Sequence, residues 1–192
     1  MAHVKSRVSA FVAIVVGFVS IGLAPAFAVD ERIIDVVAVT WNGAATAQSN
    51  PGIIASVIDT EVNSEWKKFT TMVGATTDRT VSFKAGKTLD TPISLVSKMA
   101  CTGSAASDFM NQIRPEAYKR LGISDYSERY LVVYSPKAGC IWSGRALMGS
   151  PSSKRGTLIL HDTDSSFVIS HELGHALGLG HSNFLRCDNG AN

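Results

Sequence analysis

Short apolar runs alternate along this chain with longer segments in which apolar residues recur every third or fourth position. The runs are rich in β-branched residues and are bounded by turn-forming residues, which indicates strands with little exposure to water. Predicted strands span residues 33–39, 80–83, 130–134 and 157–160, and a further segment lies within Ile141 to Met148.

Three segments show helical periodicity instead. The first begins at Asn50-Pro51, an N-cap followed by proline at the first helical position. Its apolar residues recur at a spacing of four: Ile54, Ile58, Val62 and Trp66. The second runs from near Ser104 to Gly122, and we expect Pro115 to kink or split it. The third begins near Asp164, so the order of elements predicts an α/β fold with a mixed, partly parallel sheet, two long helices and one more helix at the end.

The last predicted helix contains SHELGHALGLGHSN, residues 170–183. His171 and His175 are four residues apart, so both imidazoles project from one face of the helix and can hold one metal ion. Gly178 can adopt the left-handed conformation that ends a helix, which would turn the chain so that His181 supplies a third ligand. Three imidazoles leave a fourth tetrahedral position open for water, as in catalytic zinc sites.

Glu172 follows the first of these histidines directly and should lie beside the metal ion. We expect it to act as a general base that accepts a proton from the attacking water and passes it to the leaving amine. The predicted site therefore consists of His171, His175 and His181 as Zn²⁺ ligands and Glu172 as the catalytic residue.

The first 28 residues have the parts of a secretory signal peptide: Lys5 and Arg7, an almost wholly apolar stretch, and the small-residue pattern Ala26-Phe27-Ala28. An uncleaved membrane anchor is the alternative, because the apolar stretch approaches the length that spans a bilayer. Cleavage after Ala28 would leave residues 29–192 as one secreted domain.

Without the first two basic residues, the 18 lysines and arginines fall to 16 and balance the 16 acidic residues. A neutral chain without a basic stripe predicts no binding to nucleic acid or, after cleavage, to a membrane.

HELGHALGLGH matches the pattern HExxHxxGxxH, and on this pattern the chain resembles the metzincin zinc endopeptidases. It is similar within them to the gametolysin-like and reprolysin-like secreted peptidases, on the stretches CIWSGRALMG at 140–149 and FLRC at 184–187. The resemblance implies an extracellular peptidase acting on proteins or peptides, with a twisted sheet above the cleft. It also implies that the substrate lies along an edge strand, which we place within Ile141 to Met148.

Metzincins carry a methionine turn after the third histidine, which forms the floor beneath the zinc ion. The methionines of this chain all precede the motif: Met1, Met72, Met99, Met110 and Met148. We therefore expect residues 29–192 to form an N-terminal subdomain whose C-terminal counterpart is missing. Two other functions stay open: an inactive zinc-binding scaffold, and a zinc hydrolase that acts on non-peptide amides. The oligomeric state is not predicted.

Three cysteines are present, and outside the cell they are expected to be bridged. We favour a Cys101–Cys140 bridge, which leaves Cys187 without a partner in the chain.

The segment His161-Asp162-Thr163-Asp164 precedes the last helix. It could bind calcium or a second metal, but we favour the interpretation that it caps the helix and closes the loop.

Overall fold

A computed structural model describes residues 28–73, 79–99 and 101–181. The predicted signal peptide, apart from Ala28, and Cys187 lie outside these ranges. Within them, no helix has both the length and the apolar character needed to cross a membrane. The elements are β1 (Ala28–Trp41), α1 (Pro51–Val57), a π-helical turn (Ile58–Val62), α2 (Asn63–Val73), β2 (Arg79–Leu95), α3 (Gly103–Arg120), β3 (Arg129–Ser135), β4 (Gly144–Ala146), β5 (Gly156–His161) and α4 (Ser166–Ala176).

The strands of the described ranges form one five-stranded sheet in the order β2-β1-β3-β5-β4. β1 runs parallel to β2 and β3, and β3 runs parallel to β5. β4 pairs antiparallel with β5 and forms one edge, within the segment in which an edge strand was expected. The prediction of an α/β fold with a mixed, partly parallel sheet is therefore confirmed, and three of the four strand pairings described are parallel.

The opposite edge strand, β2, is much longer than the predicted strand at 80–83. It continues through Gly86 and Pro92, both of which weaken a strand pattern in sequence. An edge strand tolerates proline because one of its sides has no partner strand. Register shifts in the pairing with β1, between Ile34 and Val36 and between Val37 and Val39, accommodate the irregular path of β2.

Helices cover both faces of the sheet, because alternate residues of each strand point in opposite directions. Tyr130 and Val132 of β3 pack in one core with α1, the π-helical turn, α2 and α4. Leu131 and Val133 of the same strand pack in a second core with α3. The result is a three-layer arrangement in which α4 lies on the same face as the first helical segment.

The first helical segment contains a π turn that the periodicity did not predict. Asn50 is its N-cap, as expected, and its side chain accepts a hydrogen bond from the Ile53 amide at 3.1 Å. Residues at a spacing of four drift around an α-helix, which has 3.6 residues per turn. The wider π turn offsets this drift. Four residues at that spacing consequently share one buried face: Ile54, Ile58, Val62 and Trp66.

We expected Pro115 to kink or split this helix; α3 runs as one helix through Pro115, so the proline does not split it. Proline removes the hydrogen bond that its amide would give to the carbonyl of Asn111. Both residues are exposed, so water can satisfy that carbonyl. The buried side of the helix keeps its contacts with the sheet through Met110, Ile113 and Ala117.

Candidate metal site

α4 has one buried and one open face. Ile169, Leu173 and Ala176 are fully buried against the sheet. His171 is exposed and His175 is half-buried on the other side of the helix. The helix begins at Ser166, two residues after the expected start, so the sequence motif occupies most of it.

A tight turn after α4 returns the chain towards the helix. The Gly178 amide donates to the carbonyl of His175 at 2.9 Å, and the Leu179 amide donates to that of Gly174 at 2.8 Å. These two bonds define a Schellman motif, which requires a left-handed residue after the helix. Gly178 supplies it with a φ of +86°, as the sequence predicted. The turn brings His181 back to the open face of α4.

The Nε2 atoms of the three histidines converge on one point. Those of His171 and His175 are 3.1 Å apart, those of His175 and His181 are 3.1 Å apart, and the remaining pair is separated by 3.3 Å. Ligand atoms around a tetrahedral zinc ion at 2.0–2.1 Å are separated by about 3.3 Å. The three nitrogens thus have the spacing of a metal-coordinating set.

Contacts around the imidazoles favour the neutral, coordinating form. His175 Nδ1 lies 2.7 Å from the carbonyl oxygen of Leu179, which accepts its proton and leaves the Nε2 lone pair free. Partial burial, together with the charges of His175 and His181, lowers the pKa of His171 below its usual 6.5. Neutral imidazole is the form that binds metal ions. The role of the Leu179 carbonyl could not be found from side-chain patterns, because it is a backbone group.

Glu172 lies beneath β4, next to the histidines. Its side chain is buried, and Oε2 has no hydrogen-bond partner among the described residues. Burial raises the pKa of this carboxyl group above its usual 4.5, and the electrostatic interaction with His175 and the hydrogen bond from the Ala146 amide oppose the rise only in part. Gly144 of β4 fits closely above it, since a Cβ there would lie 2.7 Å from Glu172 Cγ. Gly144 is a site residue that the sequence analysis did not find, because no local pattern connects it with Glu172.

Two cavities meet at the histidines. One, of about 730 Å³, lies between β4 and α4 and is lined by Trp142, Met148 and Phe167 together with Glu172. The other, of about 710 Å³, extends towards α2 along Trp66 and other apolar side chains. A chain in extended conformation could therefore pass over the three imidazoles.

Cys101, Cys140 and His161 form a second cluster of side chains that can ligate metal ions. The predicted Cys101–Cys140 disulfide is present, and His161 Nε2 lies 2.9 Å from Cys140 Sγ. Asp162 closes the loop, because its Oδ1 accepts hydrogen bonds from the Gln48 amide and the Tyr134 hydroxyl.

The expected helix cap at residues 161–164 is wrong, because Ser165 is the N-cap of α4 and caps it with no side-chain bond. The Thr163 hydroxyl accepts a hydrogen bond from the Ser165 amide at 3.3 Å, one residue before the helix begins. Among the described residues, Asp162 and Asp164 belong to no cluster of three metal-ligating side chains.

Comparisons with known proteins give little further information. No family model matches the chain, and no curated protein does. Among solved structures, it is similar to metalloproteinase-II from Bacteroides fragilis, with 16% identity, a TM-score of 0.46, and coverage of 77% of this chain and 42% of that one. It is also similar to a chain in a chaperone–substrate complex, with 17% identity, a TM-score of 0.39, and coverage of 80% and 24%. The chain spans less than half the length of either.

Proposed function

We propose that this chain is a secreted zinc-dependent endopeptidase of the metzincin type. His171, His175 and His181 hold the metal ion, and Glu172 is the general base. The observation that carries the proposal is the convergence of three Nε2 atoms beside a buried carboxyl group with a free oxygen.

The donor set favours zinc. Imidazole nitrogens suit zinc and other transition metals, whereas magnesium and calcium prefer oxygen ligands. Three protein ligands with an open position are typical of catalytic zinc, and the bound ion lowers the pKa of its water to about 7 and polarises a carbonyl group.

Glu172 moves the proton in this proposal. Its unpartnered Oε2 can accept a proton from the attacking water, and the same oxygen can then donate it to the leaving amine. Burial, which raises the pKa of the group, strengthens its basicity once it is ionised. Gly144 and the amide of Ala146 hold the side chain from above and limit its rotation.

The substrate is a protein or peptide that binds along β4. In the described residues this strand pairs only with β5, so its other side can add an extended peptide as a further strand. The 730 Å³ cavity beside it has apolar side chains in its lining, among them Trp142, Met148 and Phe167. These can receive the side chains of a peptide laid across the histidines.

Secretion is part of the proposal. The Cys101–Cys140 disulfide favours an oxidising compartment, since cytosolic cysteines are kept reduced. The predicted signal peptide at 1–28 would direct the chain there and leave residues 29–192 as the catalytic domain.

The test combines metal content with hydrolysis. The secreted chain, Glu172→Gln and His175→Ala are purified, their zinc is measured by elemental analysis, and casein cleavage is followed. We expect one zinc ion per chain in the wild type and in Glu172→Gln, and cleavage by the wild type alone. Zinc binding without any cleavage that depends on Glu172 would instead support the inactive scaffold. Cleavage of small amides but not of casein would support the non-peptide hydrolase.

A further inference from the structure

Arg32 of β1 is a buried arginine that holds two backbone carbonyls of a distant loop. Only 5% of its side chain is exposed. Its guanidinium donates to the Tyr130 hydroxyl at 2.7 Å and to Asp30 Oδ2 at 2.7 Å. It also donates to the carbonyl oxygens of Pro151, at 3.3 Å, and of Ser153. A buried guanidinium is stable only where such acceptors replace its water, so the loop and the arginine fix each other.

The loop that Arg32 holds runs from Gly149 to Ser153, and we call it the shelf loop. It closes on itself, because the Ser153 amide donates to the Ser150 carbonyl at 2.9 Å. The Tyr130 hydroxyl donates to the Ser153 carbonyl at 2.5 Å and adds a second anchor from the sheet. The shelf loop is thus tied to β1 and β3 at its C-terminal end.

The other end of the shelf loop contacts the end of α4. The Gly149 amide donates to the carbonyl of His175 at 3.0 Å. The packing there leaves no room for a methyl group, since a Cβ on Gly149 would lie 1.9 Å from the Ala176 oxygen. A Cβ on Gly178 would lie 2.9 Å from Ser150 Cα and 3.2 Å from Pro151 Cδ. The loop therefore supports the turn that leads to His181.

We propose that Arg32 is a positioning residue for the third metal ligand, His181, and that it acts through the shelf loop and the Gly178 turn. α4 alone fixes the relative positions of His171 and His175, because they are one helical turn apart. His181 lies beyond the helix, so its position depends on what holds the turn. The inference rests on the proposed metal binding by the three histidines but does not require peptidase activity.

Metal affinity tests the inference. Arg32→Met is compared with a control variant, Arg129→Met. Arg129 lies in the same sheet and donates two hydrogen bonds of 2.6 Å to the buried carboxylate of Asp35, which the control removes. Zinc affinity is measured by competition with a chromophoric chelator, and folding is checked by circular dichroism. Loss of groups that orient metal ligands costs about 10–100-fold in affinity. We expect a loss of that size in Arg32→Met and less than about a twofold change in Arg129→Met. If Arg32→Met does not fold, Arg32→Lys, which keeps the charge but lacks the planar fork, takes its place.

A double-mutant cycle separates a role through His181 from general loosening. In a His181→Ala background, Arg32→Met should weaken the residual zinc binding no further. The role assigned to Arg32 would be overturned if Arg32→Met lowered zinc affinity by the same factor with and without His181. It would also be overturned if Arg129→Met lowered zinc affinity as much as Arg32→Met does. Absence of zinc binding by the wild type would overturn the metal site itself, which is a different result from zinc binding that is insensitive to Arg32.

Discussion

Two clusters among the residues that the structure describes have the composition of a metal site, and their surroundings are opposite. His171, His175 and His181 form one, and Cys101, Cys140 and His161 form the other. In the second cluster the two sulfur atoms are bonded to each other, and both nitrogens of the imidazole have neighbours, Ser135 Oγ at 2.7 Å and Cys140 Sγ at 2.9 Å. In the first, three Nε2 atoms face one open point beside a cavity.

The contrast shows that closeness of ligand atoms does not define a metal site. Burial lowers the pKa of His161, as it lowers that of His171, so protonation does not separate the two clusters. The difference lies in whether the ligand atoms are already engaged. The disulfide cluster contributes to the cavity in another way, because the Trp142 ring that lines the cavity packs against His161 at a tilt of 33°, with the ring centroids 4.4 Å apart.

The largest expected effect is a difference in zinc content between two variants, each of which lacks one histidine from one of the clusters. His175→Ala should bind zinc too weakly to keep one ion per chain through purification and should lose all measurable cleavage, since one of the three ligands is missing. His161→Ala should keep one zinc per chain and show only a lower melting temperature. Elemental analysis and calorimetry of the two purified variants make this comparison. Loss of zinc in His161→Ala alone would reverse the assignment of the two clusters.

Within the histidine cluster, Glu172→Gln should separate binding from catalysis. General bases contribute about 10²–10⁴ to the rate, so kcat should fall by that factor while zinc affinity stays within severalfold. The isosteric amide fills the same space beneath Gly144. Steady-state kinetics on a fluorogenic peptide measures the effect, and a KM change with unaltered kcat would argue against proton transfer by this residue.

Removing the disulfide should affect stability and leave the metal in place. The bridge closes a loop with a sequence separation of 39, for which chain-entropy estimates give about 4 kcal/mol. The double variant Cys101→Ser/Cys140→Ser should therefore unfold at lower denaturant concentration and still bind one zinc ion. Chemical denaturation with and without a chelator tests both points. A variant of unchanged stability would show that the fold does not depend on this bridge.

The smallest effect should come from the charge of Glu172 in the metal-free protein. Because burial raises its pKa, the folded chain holds this proton more tightly than the unfolded chain does. The resulting stabilisation is present below the usual pKa of about 4.5 and is lost as pH rises through the raised value. Glu172→Gln should therefore melt at a higher temperature than the wild type, by a margin that grows across this window and is constant above it. Thermal unfolding with a chelator at several pH values checks this, and a margin independent of pH would contradict it.

The part of the site that lies on one helix could be predicted from the sequence. His171 and His175 are close in the chain, and helical geometry alone decides their relative direction. The positive φ at Gly178 was also predictable, because few other residues tolerate it. The same local geometry predicted that Glu172 lies next to these histidines.

The supporting structure could not be predicted, because it depends on contacts between distant parts of the chain. Arg32 and Ser153 are 121 residues apart, and no local pattern connects them. A residue with a side chain at position 144 of β4 would collide with Glu172 of α4, so the need for Gly144 appears only when the strand and the helix are packed together. The length of β2 was missed for a related reason: whether glycine and proline interrupt a strand depends on whether that strand lies at an edge.

The π turn at Ile58–Val62 has a consequence for comparing this chain with others. A π turn contains one residue more than an α turn of the same length along the axis. A homologue with a regular helix here would be one residue shorter and would still place its flanking helices against the same sheet. Alignments through this segment should therefore carry a single-residue gap. Without the gap, the buried residues on one side of the π turn would be aligned with exposed residues of the homologue.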